Sequence, residues 1–147
     1  MRLAQHIETH IQTSDAADTV TLDYEARFLR RKRLVSDAGE PFLVELAETR
    51  SLNQGEGFRL DDGRIIAVMA AAEPLLAVRH GNLARIAWHV GNRHTPCEIA
   101  DDHILIREDK VLQAMLEGLG ASVTQVTAPF TPEGGAYGHG RTHGHEH

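Results

Sequence analysis

The stretch LLAVRHGNLARIAWHVGNRHTPCEIADDHILIREDKVLQAMLEGLGASVTQVTAPF, residues 75–130, decides the fold of the second half of the chain. Its first six residues are typical of a buried strand, and NLARIAWHVGNRH then spaces its apolar residues along one helical face. CEIADDHILIRED predicts two short strands, KVLQAMLEGLG a second amphipathic helix capped by Gly120, and ASVTQVTAPF a last strand. The order strand, helix, two strands, helix, strand predicts a ferredoxin-like (split βαβ) domain over residues 74–133.

The first half of the chain predicts short strands. Residues 19–35, TVTLDYEARFLRRKRLV, favour two strands, and PFLVELAE favours a third. Further along, Asp62-Gly63 lies between two strand-like runs, which is the strongest short hairpin signal in the chain. We therefore expect a small β-rich domain over residues 1–73, which makes the whole chain α+β. The first 18 residues offer little that would position His6 and His10, which would share a face if they lay on a helix.

A basic cluster marks the second of those predicted strands. It consists of Arg27, Arg30, Arg31, Lys32 and Arg33, with Phe28, Leu29 and Leu34 interleaved. Two strands could show these charges to water while the apolar residues face inward. The cluster is then either an ordinary solvated strand face or a docking patch for an acidic partner. The residues alone leave both interpretations open.

Length, charge and composition exclude several classes of protein. A chain of 147 residues with a net charge of -6 fits one or two small domains and argues against a general nucleic-acid binder. The single cysteine, Cys97, cannot form an internal disulfide, and the chain has neither a membrane-length apolar stretch nor the apolar core of a secretory signal. These features predict a cytoplasmic protein. Because nucleophile motifs, phosphate loops and metallohydrolase signatures are missing, we expect that it is not an enzyme.

Histidines crowd the end of the chain. Residues 134–147 are rich in glycine and contain four of the ten histidines, namely His139, His143, His145 and His147. A neutral imidazole is the commonest side-chain ligand for nickel, zinc and copper. A purification tag is the alternative, but tags are usually unbroken histidine runs, and this one is interrupted. We therefore expect a flexible metal-binding tail.

A second cluster, HVGNRHTPC at residues 89–97, brings two histidines and Cys97 close together. On a continuous helix, a spacing of five residues turns His89 and His94 about 140° apart, so they could share an ion only if the helix breaks at Gly91. His94 is favoured as a ligand, because the helix is ending there. We expect His89 to be a packed or interfacial residue and Cys97 to be a half-buried, inert thiol. One histidine is too few for a metal site, but a twofold dimer axis would double it.

Three of these motifs together resemble the UreE family of urease accessory proteins. They are HVGNRHTP at residues 89–96, the helix KVLQAMLEGLG, and PFTPEGGAYGHGRTHGHEH at residues 129–147. In the first half, VTLDYEARFLRRKRL and FRLDDGRIIAV are also similar to the first domain of that family. The resemblance spans nearly the whole chain.

The resemblance implies a homodimeric nickel metallochaperone. Its first domain would bind peptides or partner proteins, and its second would be ferredoxin-like. His94 would lie at the dimer interface, where two copies share one Ni²⁺, with His143, His145 and His147 as further ligands. Zn²⁺ or Cu²⁺ could substitute for nickel. The GTPase UreG and the urease apoprotein with its accessory complex would be the partners. In some members, histidines precede the last helix, but this chain has Arg107-Glu108-Asp109-Lys110 there, which puts an additional surface site in doubt.

Two other functions compete with this one. The protein could be a nickel or zinc buffer in which only the tail matters. Less favoured is a zinc hydrolase that uses His89, His94 and Cys97, with Glu98 as the general base. Because neighbouring strand residues point to opposite faces, a strand at this position would turn Glu98 away from Cys97, which argues against the hydrolase.

Overall fold

The structure, a computed structural model, describes residues 1–134 of the 147. The chain forms two compact units that divide between Ala71 and Ala72. The predicted tail ligands His143, His145 and His147 lie outside the described residues. Within the described part, no helix is long and apolar enough to cross a membrane.

The first unit is one six-stranded sheet that curls on itself, as the predicted β-rich domain requires. Its strands are β1 (Arg2–Glu8), β2 (Asp18–Leu22), β3 (Phe28–Val35), β4 (Pro41–Ser51), β5 (Gly57–Leu60) and β6 (Ile65–Ala70). The order across the sheet is β2-β6-β5-β1-β4-β3. The predicted hairpin is confirmed: β5 and β6 are antiparallel, and Gly63 takes the left-handed conformation of their turn, with a φ of 91°. Side chains buried on the inside of the curl include Phe42, Val44, Phe58 and Ile66.

Strand β1 was missed by the sequence reasoning, although it lies in the middle of the sheet. It pairs in parallel with β4 and antiparallel with β5. Its one fully buried residue is small, Ala4, and its apolar residues do not alternate regularly, so the strand carries only a weak apolar signal. The expectation of a shared helical face for His6 and His10 is therefore wrong. His6 lies on β1, and His10 follows the strand with a φ of 55°.

Both predicted strands at residues 19–35 form, but they do not pair with each other. β2 pairs with β6, and β3 pairs with β4, so they stand at opposite ends of the sheet order. Side chains link these ends. The Asp37 carboxylate, just after β3, accepts hydrogen bonds from the hydroxyls of Thr19 (2.6 Å) and Thr21 (2.8 Å). The curl therefore brings the two end strands together without a continuous ladder.

Arg27 does not belong to the solvated basic face. It is fully buried, and its guanidinium donates to the carbonyl oxygens of Leu52 (3.0 Å) and Leu22 (2.9 Å). The side chain thus ties the end of β2 and the residue after β4 to the start of β3. Residues 30–33 are all exposed. Because successive strand residues point to opposite faces, four exposed neighbours mean that both faces of β3 are open at this place.

The second unit confirms the predicted ferredoxin-like order. Its elements are β7 (Ala72–Arg79), α1 (Leu83–Asn92), β8 (Cys97–Ile99), β9 (Ile104–Arg107), α2 (Lys110–Gly118) and β10 (Ser122–Pro129). The sheet has the order β10-β7-β9-β8, and every neighbouring pair is antiparallel. Both helices begin at a capping side chain: Asn82 accepts from the amide of Arg85 (3.1 Å), and Asp109 from that of Leu112 (3.0 Å).

Both helices pack on one face of this sheet. The core consists of Leu76, Val78, Ile104 and Ile106 from the strands, and Ile86, Val90, Leu112 and Leu116 from the helices. Burial of each such side chain contributes about 1.5–3 kcal/mol. The apolar residues of KVLQAMLEGLG predicted a stripe that includes Val111 and Leu119, but Val111 is 70% exposed and Leu119 is 37% exposed. The buried row runs through Leu112 and Leu116, four residues apart, and Val111 lies one position to its side.

Candidate metal centre

His94 lies at the end of helix α1, in a defined hydrogen-bond motif. The C-cap is Arg93, and the amide of the next residue, His94, donates to the Gly91 carbonyl (2.9 Å). The following amide, from Thr95, reaches back to the Val90 carbonyl (3.2 Å). These two bonds form a Schellman motif, which satisfies the last carbonyls of a helix. The motif fixes the backbone of His94 even though its side chain is exposed.

The backbone of His94 adopts the left-handed conformation, with a φ of 57°. Glycine is usual at this position, because a Cβ atom costs about 1–2 kcal/mol in that conformation. Within residues 1–134, His10 is the other non-glycine residue with a positive φ. Strained residues of this kind cluster at functional sites, where the surrounding structure holds them in place. The imidazole is thus carried on a rigid helix end and presented to solvent.

His89 is placed differently from His94. Helix α1 runs through Gly91 to Asn92, so the glycine neither ends the helix nor breaks it. His89 therefore stays on the helix, where it is half-buried and its ring meets that of Trp88 edge-on, with centroids 5.0 Å apart. This placement fits the packed or interfacial histidine expected from the sequence.

Cys97 is the first residue of β8 and is half-buried against the core between sheet and helices. Burial raises the pKa of its thiol, and the negative charge of Glu133 raises it further. A raised pKa keeps the sulfur protonated at neutral pH, whereas a metal ligand must be a thiolate. The environment therefore disfavours Cys97 as a ligand within one chain.

Two other histidines are engaged in structural hydrogen bonds. The His80 ring accepts from the amide of Asn82 at Nδ1 (2.8 Å), and its Nε2 faces the carbonyl of Leu119 at the end of α2 (3.2 Å). His103 lies 2.6 Å from the Asp102 carboxylate, and this contact lowers the pKa of Asp102. No group of three or more His, Cys, Asp or Glu side chains in residues 1–134 is arranged to hold a metal ion.

Comparison with known proteins connects this arrangement to a family. The model of the UreE urease accessory protein N-terminal domain matches residues 2–71, and that of the C-terminal domain matches residues 73–147. The chain belongs to the UreE family of urease accessory proteins. The family model for the C-terminal domain covers α1, His94 and the whole histidine tail.

Curated relatives from three bacteria agree with this assignment. Each carries the name urease accessory protein UreE. The protein of Paracoccus denitrificans is 63% identical over 123 residues, which are 84% of this chain and 79% of its own. The protein of Rhodobacter capsulatus is 60% identical and that of Ruegeria pomeroyi 58%, each over 134 residues, or 91% of this chain and 85% and 90% of theirs. The similarity thus covers both units, and the family is one of accessory proteins rather than of catalysts.

One feature of the UreE-family C-terminal unit was missed in the sequence: a short segment that runs from β10 to β8. After β10, the amide of Thr131 donates to the Glu98 carboxylate (2.8 Å), and the amide of Glu133 donates to the Cys97 carbonyl (2.8 Å). The tail therefore starts next to the strand that follows His94. No local pattern signals this contact, since more than thirty residues separate Glu98 from Thr131.

Proposed function

We propose that this protein is a nickel metallochaperone that works as a homodimer. In this proposal, His94 from each of two copies holds one Ni²⁺, and His143, His145 and His147 of the tails complete the coordination. The ion is cargo, delivered for assembly of the urease active site with the GTPase UreG and the urease apoprotein as partners. The main support is the exposed imidazole of His94 at a left-handed helix end, where the fold itself favours glycine.

The number of ligands that a metal site needs supports an ion shared between two copies of the chain. A stable transition-metal site needs about four ligands, and no suitable group of three exists within residues 1–134 of one chain. A residue near a twofold axis meets its own copy, so one His94 becomes two. Trp88, on the same helix, is 63% exposed, and burial of such a side chain between copies would add apolar stabilisation.

Imidazole chemistry sets which ions can bind. Neutral histidine nitrogens suit nickel, zinc and copper alike, and copper binds a given site more tightly than nickel. Zn²⁺ or Cu²⁺ can therefore substitute in the isolated protein, and contacts with the partners would select nickel. The ring must lose its proton to bind, so nickel affinity falls as the pH drops.

The first unit is assigned to partner binding in this proposal. Its support is strand β3 at the end of the sheet, where Arg30, Arg31, Lys32 and Arg33 are all exposed. Arg31 has only a long contact with the Glu45 carboxylate (3.9 Å). An exposed edge strand that carries several positively charged side chains can bind an acidic partner segment.

A histidine substitution tests the shared site. His94→Ala should remove the high-affinity ion, with one Ni²⁺ per two chains lost from the calorimetric titration. His10→Ala is the matched control, because His10 is also an exposed histidine with a positive φ, but in the other unit. Unchanged nickel stoichiometry and affinity in His94→Ala would sink the proposal.

Removal of the tail separates the chaperone from a metal buffer, the alternative that the tail composition supports. A chain that ends after Tyr137 lacks His139, His143, His145 and His147. The proposed chaperone keeps the ion at His94 with weaker affinity, whereas a buffer would lose nearly all bound nickel. Titrations with nickel and zinc side by side measure the difference.

A further inference from the structure

The segment from Phe130 to Glu133, called the strap from here on, links the last strand to the first residues after His94. Phe130 follows β10 directly and is fully buried. The Thr131 amide then donates to the Glu98 carboxylate at 2.8 Å. The Glu133 amide donates to the Cys97 carbonyl at 2.8 Å. The strap is thus anchored at three successive points before the tail begins.

Strand geometry explains why Glu98 can make this contact. β8 is the last strand in the sheet order, so one of its edges has no neighbouring strand. The side chain of Cys97 packs towards the helices, and alternation turns Glu98 to the opposite face. The Glu133 amide donates a hydrogen bond to the Cys97 carbonyl, which the pairing of β8 with β9 leaves available. Glu98 and the free edge of β8 together hold the strap in place.

Because the strap is bound to Cys97 and Glu98, the tail begins close to His94. His94 lies three residues before Cys97, so their Cα atoms are at most about 11 Å apart. Measured along the chain from Glu133, His139 is 6 residues away and His147 is 14, which correspond to maximal spans of about 22 Å and 50 Å. All four tail histidines can therefore reach His94. The effective concentration of a tethered ligand depends on where its tether is attached.

We propose that Glu98 is a positioning residue for the tail: it fixes the root of the tail beside His94 and so raises the effective concentration of the tail histidines at the ion. This inference rests on the proposed function. Glu98 itself does not touch the ion. When its hydrogen bond to Thr131 is lost, the strap loosens between Phe130 and Glu133, and the tail becomes a longer and less directed tether.

The test compares Glu98 variants with and without the tail. Glu98→Ala, Glu98→Gln and the control Glu117→Ala are made in the full chain and in the chain that ends after Tyr137, and Ni²⁺ affinity is measured by calorimetry. Glu117 is an exposed acidic residue on α2, so its loss matches the change in charge. Glu98→Ala should weaken nickel binding about twofold in the full chain and leave the truncated chain unchanged.

Glu98→Gln provides the rescue. Its amide oxygen can accept the same bond from Thr131, so most of the nickel affinity should return, whereas a role that depends on negative charge would not be rescued. A second readout needs no metal. Amide hydrogen exchange at Thr131 and Glu133 should accelerate in metal-free Glu98→Ala, while the amides of β9 keep their protection, which shows that the variant is folded.

Three outcomes would overturn the inference. Equal weakening of nickel binding in the full and truncated chains would mean that Glu98 acts on the ion or on the fold. No weakening in the full chain would mean that the strap does not position the tail. If the truncated chain binds nickel as tightly as the full chain, the tail histidines are not ligands at the site. His94→Ala, titrated alongside, separates these results from a failure of the proposed function: if it loses the ion, the shared site stands without the strap.

Discussion

Helices α1 and α2 end in the same hydrogen-bond motif, but they carry different residues at its left-handed position. After α2, the Gly120 amide donates to the Glu117 carbonyl (3.0 Å) and the Ala121 amide to the Leu116 carbonyl (3.0 Å), with a φ of 89° at Gly120. After α1, His94 takes the place of the glycine with a φ of 57°. The backbone bonds of the two ends are equivalent, so these bonds do not by themselves require a side chain at this position.

The residues at the two helix ends differ in what their left-handed backbone costs. Glycine is the residue of lowest cost at a left-handed helix end, and any Cβ atom there adds about 1–2 kcal/mol of strain. Gly120 avoids that cost and serves the fold alone. His94 incurs it and exposes an imidazole instead. Residues that oppose a local structural rule are candidates for chemistry.

The largest expected effect comes from His94→Gly, which makes the α1 end like the α2 end. Nickel affinity should fall by at least about 100-fold, since both copies lose a ligand. The free energy of unfolding should stay equal or rise by up to about 1 kcal/mol, because the strain is relieved. Calorimetric titration and chemical denaturation measure the two quantities. A clear loss of stability would show that the His94 side chain supports the fold, and the comparison would then fail.

The converse change is expected to be smaller. Gly120→Ala should lower the free energy of unfolding by about 1–2 kcal/mol and leave nickel affinity unchanged. A Cβ at Gly120 would meet the Nε2 of His80 at 3.7 Å, an ordinary contact, so the cost is that of the backbone. Gly118→Ala is the control, since a Cβ there meets nothing within 4 Å and helical alanine is favoured over glycine. Equal effects of both substitutions would contradict a special cost at Gly120.

The smallest effect is expected at His80, the histidine that supports the α2 end. His80→Ala removes the ring between the Asn82 amide and the Leu119 carbonyl, and should cost about 1 kcal/mol of stability. Nickel affinity should not change, because this ring has a structural role. Denaturation and nickel titration on the same sample test both parts. A nickel affinity that falls as in His94→Ala would mean that the comparison assigns metal binding to the wrong histidine.

The element order of the second unit could be predicted from the sequence because its signals are local. Apolar spacing marked α1 and α2, and Gly120 marked the end of α2. The hairpin at Asp62-Gly63 was equally visible, since turn chemistry lies within a few residues. His94 was favoured as a ligand for a related local reason: the polar residues and Thr-Pro around it predicted the end of a helix.

Other features could not be predicted in this way. β1 has weak strand signals of its own and forms because β4 and β5 pair with it on both sides. Arg27 looked like a surface cation, but the carbonyl oxygens of Leu22 and Leu52 accept hydrogen bonds from its guanidinium and allow its burial. Gly91 was a possible break in the helix, but α1 passes through it and ends at the next residue, Asn92. The strand β4 that pairs with β1 and the Leu52 carbonyl that binds Arg27 are both remote in sequence.

The sequence by itself determined the two-part α+β organisation, the placement of α1 and α2, and the concentration of histidine at the end of the chain. These properties follow from periodicity, capping and composition, which act over a few residues. The tertiary structure alone decided that His94 is held with a positive φ and that the strap returns from β10 to Glu98 on β8. The first depends on where the hydrogen bonds of α1 stop, and the second on a bond between residues 33 positions apart, and no apolar or turn pattern in the sequence encodes either of them.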